Sequence, residues 1–171
     1  MKYISSSLKF DPRGWNAAYK EEKNNLLYYL KDFKVAIKHI GATAYPGGMS
    51  NRNVDILITT TSMQDISSVQ VRLQSKGYKL LDSSSTDIVM LKSSKLVNGY
   101  GITIRIMEYA SSIYNRYAAF EILLKENKHR ITKYNKYRDD ISVIYYTNFK
   151  KYQELKLNYI NHLIDVHFKF E

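Results

Sequence analysis

The chain has 171 residues, which suits one domain with a single hydrophobic core. It has no cysteine, which excludes disulfide bonds, thiolate metal sites and cysteine nucleophiles, and no apolar run approaches the roughly 18 residues of a membrane span, so we expect a cytoplasmic protein without membrane contact. Twenty-six lysine and arginine residues against sixteen aspartate and glutamate residues give a net charge of +10, which favours polyanionic partners such as nucleic acid, nucleotides or an acidic protein surface.

The N-terminal part of the chain predicts one helix followed by two strands. Asp11 and Pro12 form an N-cap and first-turn pair, and apolar residues follow at helical spacing. These apolar residues are Trp15, Tyr19, Leu26, Leu30 and Phe33. Residues 35–40 and 54–60 then read as strands on either side of a glycine-containing loop.

The middle of the chain predicts a second helix and three more strands. Ser62 is a suitable N-cap, and Gly77 ends the helix. Residues 78–81, 87–92 and 102–109 have strand character, and turn-rich SSST and NGYG stretches separate them.

The C-terminal part of the chain predicts helices. The helical pattern starts near residue 113, breaks at 139–147 and resumes at about 148. We therefore expect an α+β fold, with an α/β core over residues 1–112 and a helical segment over 113–171 packed on that core as one compact unit.

The sequence HIGATAYPGGMSNRNVD, which covers residues 39–55, combines a glycine turn with an unusual acidic residue. A glycine at this corner lets a ligand approach the backbone, and the N–H groups of residues 41–43 are suited to phosphate oxygens. Thr43 adds a hydroxyl group. Asp55 lies in an apolar strand, where an ionised carboxylate needs a cation or a metal ion.

This segment resembles the signature of the GrpB-like family, which runs His-Ile-Gly-Ser-Thr-Ala-Val-Pro-Gly and reaches a single aspartate at the same spacing. The matching residues are His39, Ile40, Gly41, Thr43, Ala44, Pro46, Gly47 and Asp55. Residues of the first and last predicted helices also resemble the family. They are Trp15, Tyr19, Glu22, Tyr152, Lys156 and Ile160.

The GrpB-like family consists of predicted nucleotidyltransferases, so the resemblance implies a nucleotidyltransferase-like mixed β-sheet, a nucleoside triphosphate held at the glycine turn, and Mg²⁺ on Asp55. Ala42 stands at the position of the family serine within that turn. Asn51 and Arg52 stand where the family has lysine and proline, so both are candidate phosphate ligands and the positive charge is displaced by one residue.

The number of carboxylates limits the metal chemistry of this motif. Two-metal nucleotidyl transfer uses an Asp-x-Asp pair with a third acid, and Leu57 occupies the second position here. One Mg²⁺ needs only one or two carboxylates when phosphates and water complete its octahedron. Glu108, at the end of a predicted strand, is the first candidate for a second ligand, ahead of Asp87.

Three further residues are candidates near Asp55. By period two, Arg105 projects toward the same surface as Asp55, where it pairs with the carboxylate or binds a phosphate; both alternatives stay open. His39 is either a base or ligand, or a buried histidine hydrogen-bonded to the backbone. Lys156 lies four residues after Tyr152 on one helix face, with its ammonium group directed to a cleft between sheet and helices.

Two functions fit these residues. The first is a nucleotidyltransferase that binds a nucleoside triphosphate with Mg²⁺ and transfers a nucleotidyl group to an unknown acceptor, with Asp55, Arg105 and Lys156 as catalytic residues. The alternative is a catalytically degenerate member, favoured by Ala42 and Leu57, whose basic surface binds nucleic acid or an acidic partner. The basic run over residues 125–138 either tracks a phosphate backbone or forms a solvated helix face.

Overall fold

The computed structural model describes residues 8–50, 52–85, 88–145 and 147–168, without the side chains of residues 82–85 and 149. Within this part the chain forms ten main elements. They are α1 (Pro12–Tyr29), β1 (Val35–Ile40), β2 (Asn53–Thr60), α2 (Met63–Ser75), β3 (Tyr78–Ser85), β4 (Ile88–Ser93), β5 (Gly101–Glu108), α3 (Ser112–Glu126), α4 (Lys128–Ile144) and α5 (Phe149–His167). A 3-10 turn, Ala42–Ala44, follows β1.

The five strands form one mixed sheet in the order β1-β2-β5-β4-β3. Strands β2 and β5 pair in parallel at its centre, and the other neighbours are antiparallel. The predicted α+β fold with a mixed sheet is thus confirmed. No helix in the described ranges is long and apolar enough to cross a bilayer.

One face of the sheet carries the main hydrophobic core, between the central strands and helices α1 and α2. Alternate residues of β2 and β5 point into it because side chains in a strand alternate between faces. The core includes Trp15, Leu26, Val54, Ile56, Ile58, Val69, Leu73, Ile102, Ile104 and Ile106, all buried. This packing directs the intervening positions of β2 and β5 to the opposite face.

The opposite face of the sheet is partly covered by the C-terminal helices. Near α3, Leu57 and Met107 form a small apolar cluster with Ile113 and Tyr117. A second cluster joins the 3-10 turn to α3, α4 and α5 through Tyr45, Phe120, Tyr134, Tyr159 and Ile164. The division at residue 112 stays a prediction, although the helices beyond it do pack on the sheet.

Three local predictions differ from the structure. Strand β3 continues to Ser85, through a stretch that we expected to turn. The predicted break at 139–147 is shorter than expected, because Ile141 packs on Tyr152 and α4 continues to Ile144 before α5 starts at Phe149. A further break, which the sequence did not predict, separates α3 from α4 at Asn127, whose side chain accepts a hydrogen bond from the His129 N–H and caps α4. Asp87 lies outside the described residues.

Candidate functional site

Asp55 and Arg105 form an ion pair on the face of the sheet that the main core leaves free. Asp55 lies opposite Thr103 in the β2–β5 ladder, so Arg105 is two residues further along the neighbouring strand. An Arg105 guanidinium nitrogen donates to Oδ1 of Asp55 at 2.6 Å. The Asp55 side chain keeps 28% of its surface exposed, against 12% for Arg105, so Asp55 is the more accessible partner of the pair.

The glycine turn lies directly beside this carboxylate. Strand β1 ends at Ile40, opposite Asp55 in the antiparallel ladder. Gly41 then adopts φ 74° and ψ −170°, a conformation that is nearly restricted to glycine. A Cβ atom on Gly41 would lie 3.1 Å from Oδ2 of Asp55. The structure therefore brings the predicted phosphate turn, residues 41–43, next to Asp55.

His39 supports this turn. Its Nε2 atom is hydrogen-bonded to the Thr43 hydroxyl at 2.8 Å, and its ring stacks on Tyr19 with centroids 4.6 Å apart. Burial lowers the pKa of His39 to about 4, against a small opposing effect of Asp55, so the ring is neutral at pH 7. The observed partner of His39 is the Thr43 side chain and not the backbone that we expected, and its role as a base or ligand stays a prediction. Ala42 and Thr43 are both buried.

Two further cations act on the Asp55 carboxylate from the C-terminal helices. Burial by itself would raise the pKa of Asp55, but the charges of Arg105, Lys156 and Arg138 outweigh it and hold the pKa below its usual value. Lys156 comes from α5, as predicted from its position. Burial lowers its pKa to about 8, and Asp55 opposes that effect.

Arg138, on α4, was not singled out from the sequence. It is 8% exposed and donates to the Met49 carbonyl at 2.8 Å. Burial favours the neutral guanidine, but Tyr134, Tyr152 and Asp55 raise the pKa of Arg138. The sequence does indicate that Arg138 is buried, because it lies at helical spacing from apolar residues along one face of α4. These residues are Ile131, Tyr134 and Ile141.

Asn135, also on the inner face of α4, fastens the loop that leads from the glycine turn to β2. Its side-chain nitrogen donates to the Gly47 carbonyl at 2.8 Å, and its oxygen accepts from the Met49 N–H at 3.3 Å. Inside the loop, a Cβ atom on Gly48 would lie 1.6 Å from the Ala42 carbonyl oxygen. Helix α4 therefore holds the loop closed on the turn.

Two predicted site residues lie away from Asp55, and a third is not described by the structure. Glu108 is opposite Thr60 in the ladder, five residues along from the position of Asp55, which corresponds to about 16 Å at 3.3 Å per residue. The Arg52 side chain is exposed and acts electrostatically on Asp11 at the start of α1. Asn51 lies outside the described residues. The expected pairing of Glu108 with Asp55 is therefore not formed.

The residues around Asp55 do not fit a two-metal centre. Leu57, at the position of the second carboxylate, is 3% exposed and packs against Met107. The part of the chain that the structure describes contains no group of three histidine, aspartate or glutamate residues able to hold a metal ion. We define the Asp55 site as Asp55, Arg105, Arg138 and Lys156 together with the glycine turn.

The comparison with protein families gives one assignment. The model of the GrpB protein family matches residues 8–165. The chain belongs to the GrpB family. The crystal structure of the conserved protein GrpB from Enterococcus faecalis agrees, with a TM-score of 0.75 at 17% identity, over 95% of this chain and 99% of that one. A search of curated proteins gave no match.

More distant structures extend the likeness of the fold. Cid1 poly(U) polymerase bound to MgATP matches with a TM-score of 0.52 and 13% identity, over 75% of this chain and 42% of that chain. A further structure of Cid1, described as an RNA terminal uridylyl transferase, matches with a TM-score of 0.53 and 13% identity, over 77% of this chain and 40% of that chain. The chain thus spans less than half of Cid1 and has a nucleotidyltransferase-like fold.

Proposed function

We propose that this protein binds a nucleoside triphosphate, with the phosphates at the Asp55 site. One observation carries the proposal: three cationic side chains from β5, α4 and α5 act on a single carboxylate beside the glycine turn. Arg105 and Lys156 would contact phosphate oxygens, and the N–H groups of residues 41–43 would add neutral donors. The fold supports this choice, since the distant Cid1 structures include complexes with MgATP and MgGTP.

Nucleotidyl transfer with Mg²⁺ would be a more specific function than nucleotide binding, and the residues of the site support it less well. Asp55 would be the protein carboxylate for the ion, which also needs phosphate oxygens and water. Leu57 supplies no second carboxylate, and Glu108 is too far along the sheet. We therefore assign nucleotide binding to the site and leave the transfer reaction and its acceptor as a prediction.

A thermal-shift panel tests the proposal. The four nucleoside triphosphates and the four nucleosides would be added separately, each with and without Mg²⁺. A ligand at a hundredfold excess over its Kd stabilises the native state by about 2.7 kcal/mol, which raises the Tm of a protein of this size by roughly 5–10 °C. At least one triphosphate should produce such a shift. Equal shifts with the matching nucleoside would exclude the phosphate contacts that we propose.

The second candidate function is nucleic-acid binding through the basic surface. A cavity of about 300 Å³ between α4 and α5 is lined by His129, Arg130, Lys133 and Tyr159, among others. The side chains of Lys128, Lys133 and Lys136 are exposed. The tyrosines of the basic run are not free to stack on bases, however, because Tyr134 is buried and Tyr137 stacks on Tyr159.

Salt dependence separates this candidate from binding at the Asp55 site. If basic side chains contact six phosphates, binding to a single-stranded oligonucleotide should weaken by about three hundredfold between roughly 50 and 200 mM salt, and by more with further contacts. Fluorescence anisotropy measures this directly. A nearly flat response across that range would remove the second candidate.

A further inference from the structure

The carboxylate that would receive a metal ion in this fold is already paired with a cation. Arg105 donates to Oδ1 of Asp55 at 2.6 Å, so a metal ion on that oxygen would have to displace a guanidinium group that is only 12% exposed. Leu57, at the position of the second carboxylate of an Asp-x-Asp pair, packs in an apolar cluster and cannot bind a metal ion. The chemistry of these side chains opposes a divalent cation at this position.

The local charge of the site is the reverse of that in a metal centre. Metal centres place several carboxylates around a cation, whereas here Arg105, Arg138 and Lys156 act on one carboxylate. One of these cations neutralises Asp55, and two remain in excess. Because partly buried charges are weakly screened by solvent, this excess is strongly attractive to a polyanion.

Both guanidinium groups also keep unused hydrogen-bonding capacity. The Nε–H of Arg105 and the Nε–H of Arg138 are buried donors without a hydrogen-bond partner in the described residues. Buried donors of this kind are costly unless an acceptor reaches the group. Two incompletely satisfied arginines beside a glycine turn are the donor set that a planar or tetrahedral oxyanion requires.

We propose that this protein binds the triphosphate of a nucleotide without a divalent metal ion, with Arg105, Arg138 and Lys156 supplying the positive charge that Mg²⁺ supplies in metal-dependent members of the fold. This inference rests on the proposed nucleotide binding and specifies its chemistry. Mg²⁺ bound to the triphosphate in solution cancels two of its negative charges, so it competes with the three cations for the same oxygens.

Isothermal titration calorimetry with ATP, once in EDTA and once with excess Mg²⁺, tests this inference on the full chain. We expect the Kd in EDTA to be equal to or several-fold lower than the Kd with Mg²⁺. Asp55→Asn removes the only carboxylate of the site and should tighten binding in EDTA, whereas a site that works through a metal ion on Asp55 would lose affinity.

Lys156→Met keeps the length of the side chain and removes its charge. It should weaken binding in EDTA by about tenfold, the loss expected for one charge-assisted hydrogen bond. Lys150→Met is the matched control, because Lys150 is exposed on the same helix and the substitution changes the net charge equally. Asp55→Asn leaves Arg105 buried without its partner and could prevent folding. Lys156→Met keeps the Asp55–Arg105 pair, so it tests the inference even if Asp55→Asn does not fold.

The outcomes distinguish the two proposals. Binding in EDTA that Lys156→Met weakens and Lys150→Met does not would support the inference. Binding that requires Mg²⁺ would overturn the inference and leave the proposed nucleotide binding intact. A failure to bind in both buffers would overturn the proposed function itself, and equal weakening by the two lysine substitutions would assign the effect to net charge rather than to the Asp55 site.

Discussion

Replacing Asn135 with alanine tests whether α4 holds the loop behind the glycine turn. The change removes the two hydrogen bonds from the buried Asn135 amide, at 2.8 Å to the Gly47 carbonyl and 3.3 Å from the Met49 N–H. Each such bond contributes about 0.5–1.5 kcal/mol net, so we expect the free energy of unfolding to fall by about 2 kcal/mol. For a chain of 171 residues this lowers the Tm by about 4–8 °C.

The matched control is Asn115→Ala on α3. Asn115 is exposed, and its amide makes a single 3.4 Å hydrogen bond to the Ala110 carbonyl. Both substitutions gain the same helix propensity, so the difference between them isolates the loop contacts. Urea unfolding of the two variants and of the unchanged protein measures it. A difference below about 0.5 kcal/mol would refute the argument that these contacts secure the loop.

Three further predictions concern the Asp55 site and its support. Gly41→Ala should destabilise the protein by about 1–3 kcal/mol, because φ is 74° and the new Cβ would lie 3.1 Å from Oδ2 of Asp55. Gly99→Ala in the same unfolding assay is the control for a positive φ in open space, since Gly99 has φ 79° and a Cβ there would meet no atom within 4 Å. The pKa of His39 is lowered to about 4, so the stability that the neutral ring contributes is present above its ordinary pKa of 6.5 and is lost as the pH falls toward 4. His39→Gln should therefore reduce the pH dependence of the unfolding free energy between pH 4 and 6.5. An unchanged pH dependence would contradict the burial of a neutral ring. The pKa of Lys156 is lowered from 10.5 to about 8, so its contribution to stability is present above pH 10.5 and is lost as the pH falls through 8. Affinity for ATP needs the charged form of Lys156 and should decline as the pH rises above 8. Lys156→Met should abolish the pH dependence of stability, measured by urea titrations, and that of ATP affinity, measured by calorimetry.

Local patterns in the sequence predict the order of most elements and single out Asp55 and Arg105 as central residues. Period-two alternation in β2 and β5 separates the core-facing isoleucines from Asp55 and Arg105, because strand side chains alternate regardless of what packs on them. The N-caps Asp11 and Ser62 also marked helix starts from purely local hydrogen bonds. Local chemistry of this kind is readable without any knowledge of the fold.

The set of charges that meet at Asp55 depends on how the C-terminal helices pack on the sheet. Arg138 lies 83 positions beyond Asp55 in the chain and reaches it because α4 packs on the loop at Met49, a contact that no local pattern specifies. The contact of Ile141 with Tyr152 extends α4 to Ile144, into the predicted break at 139–147, and the parallel register of β2 and β5 keeps Glu108 away from the carboxylate. These outcomes depend on side chains distant in sequence, whose burial and pairing are set by how helices and strands pack together.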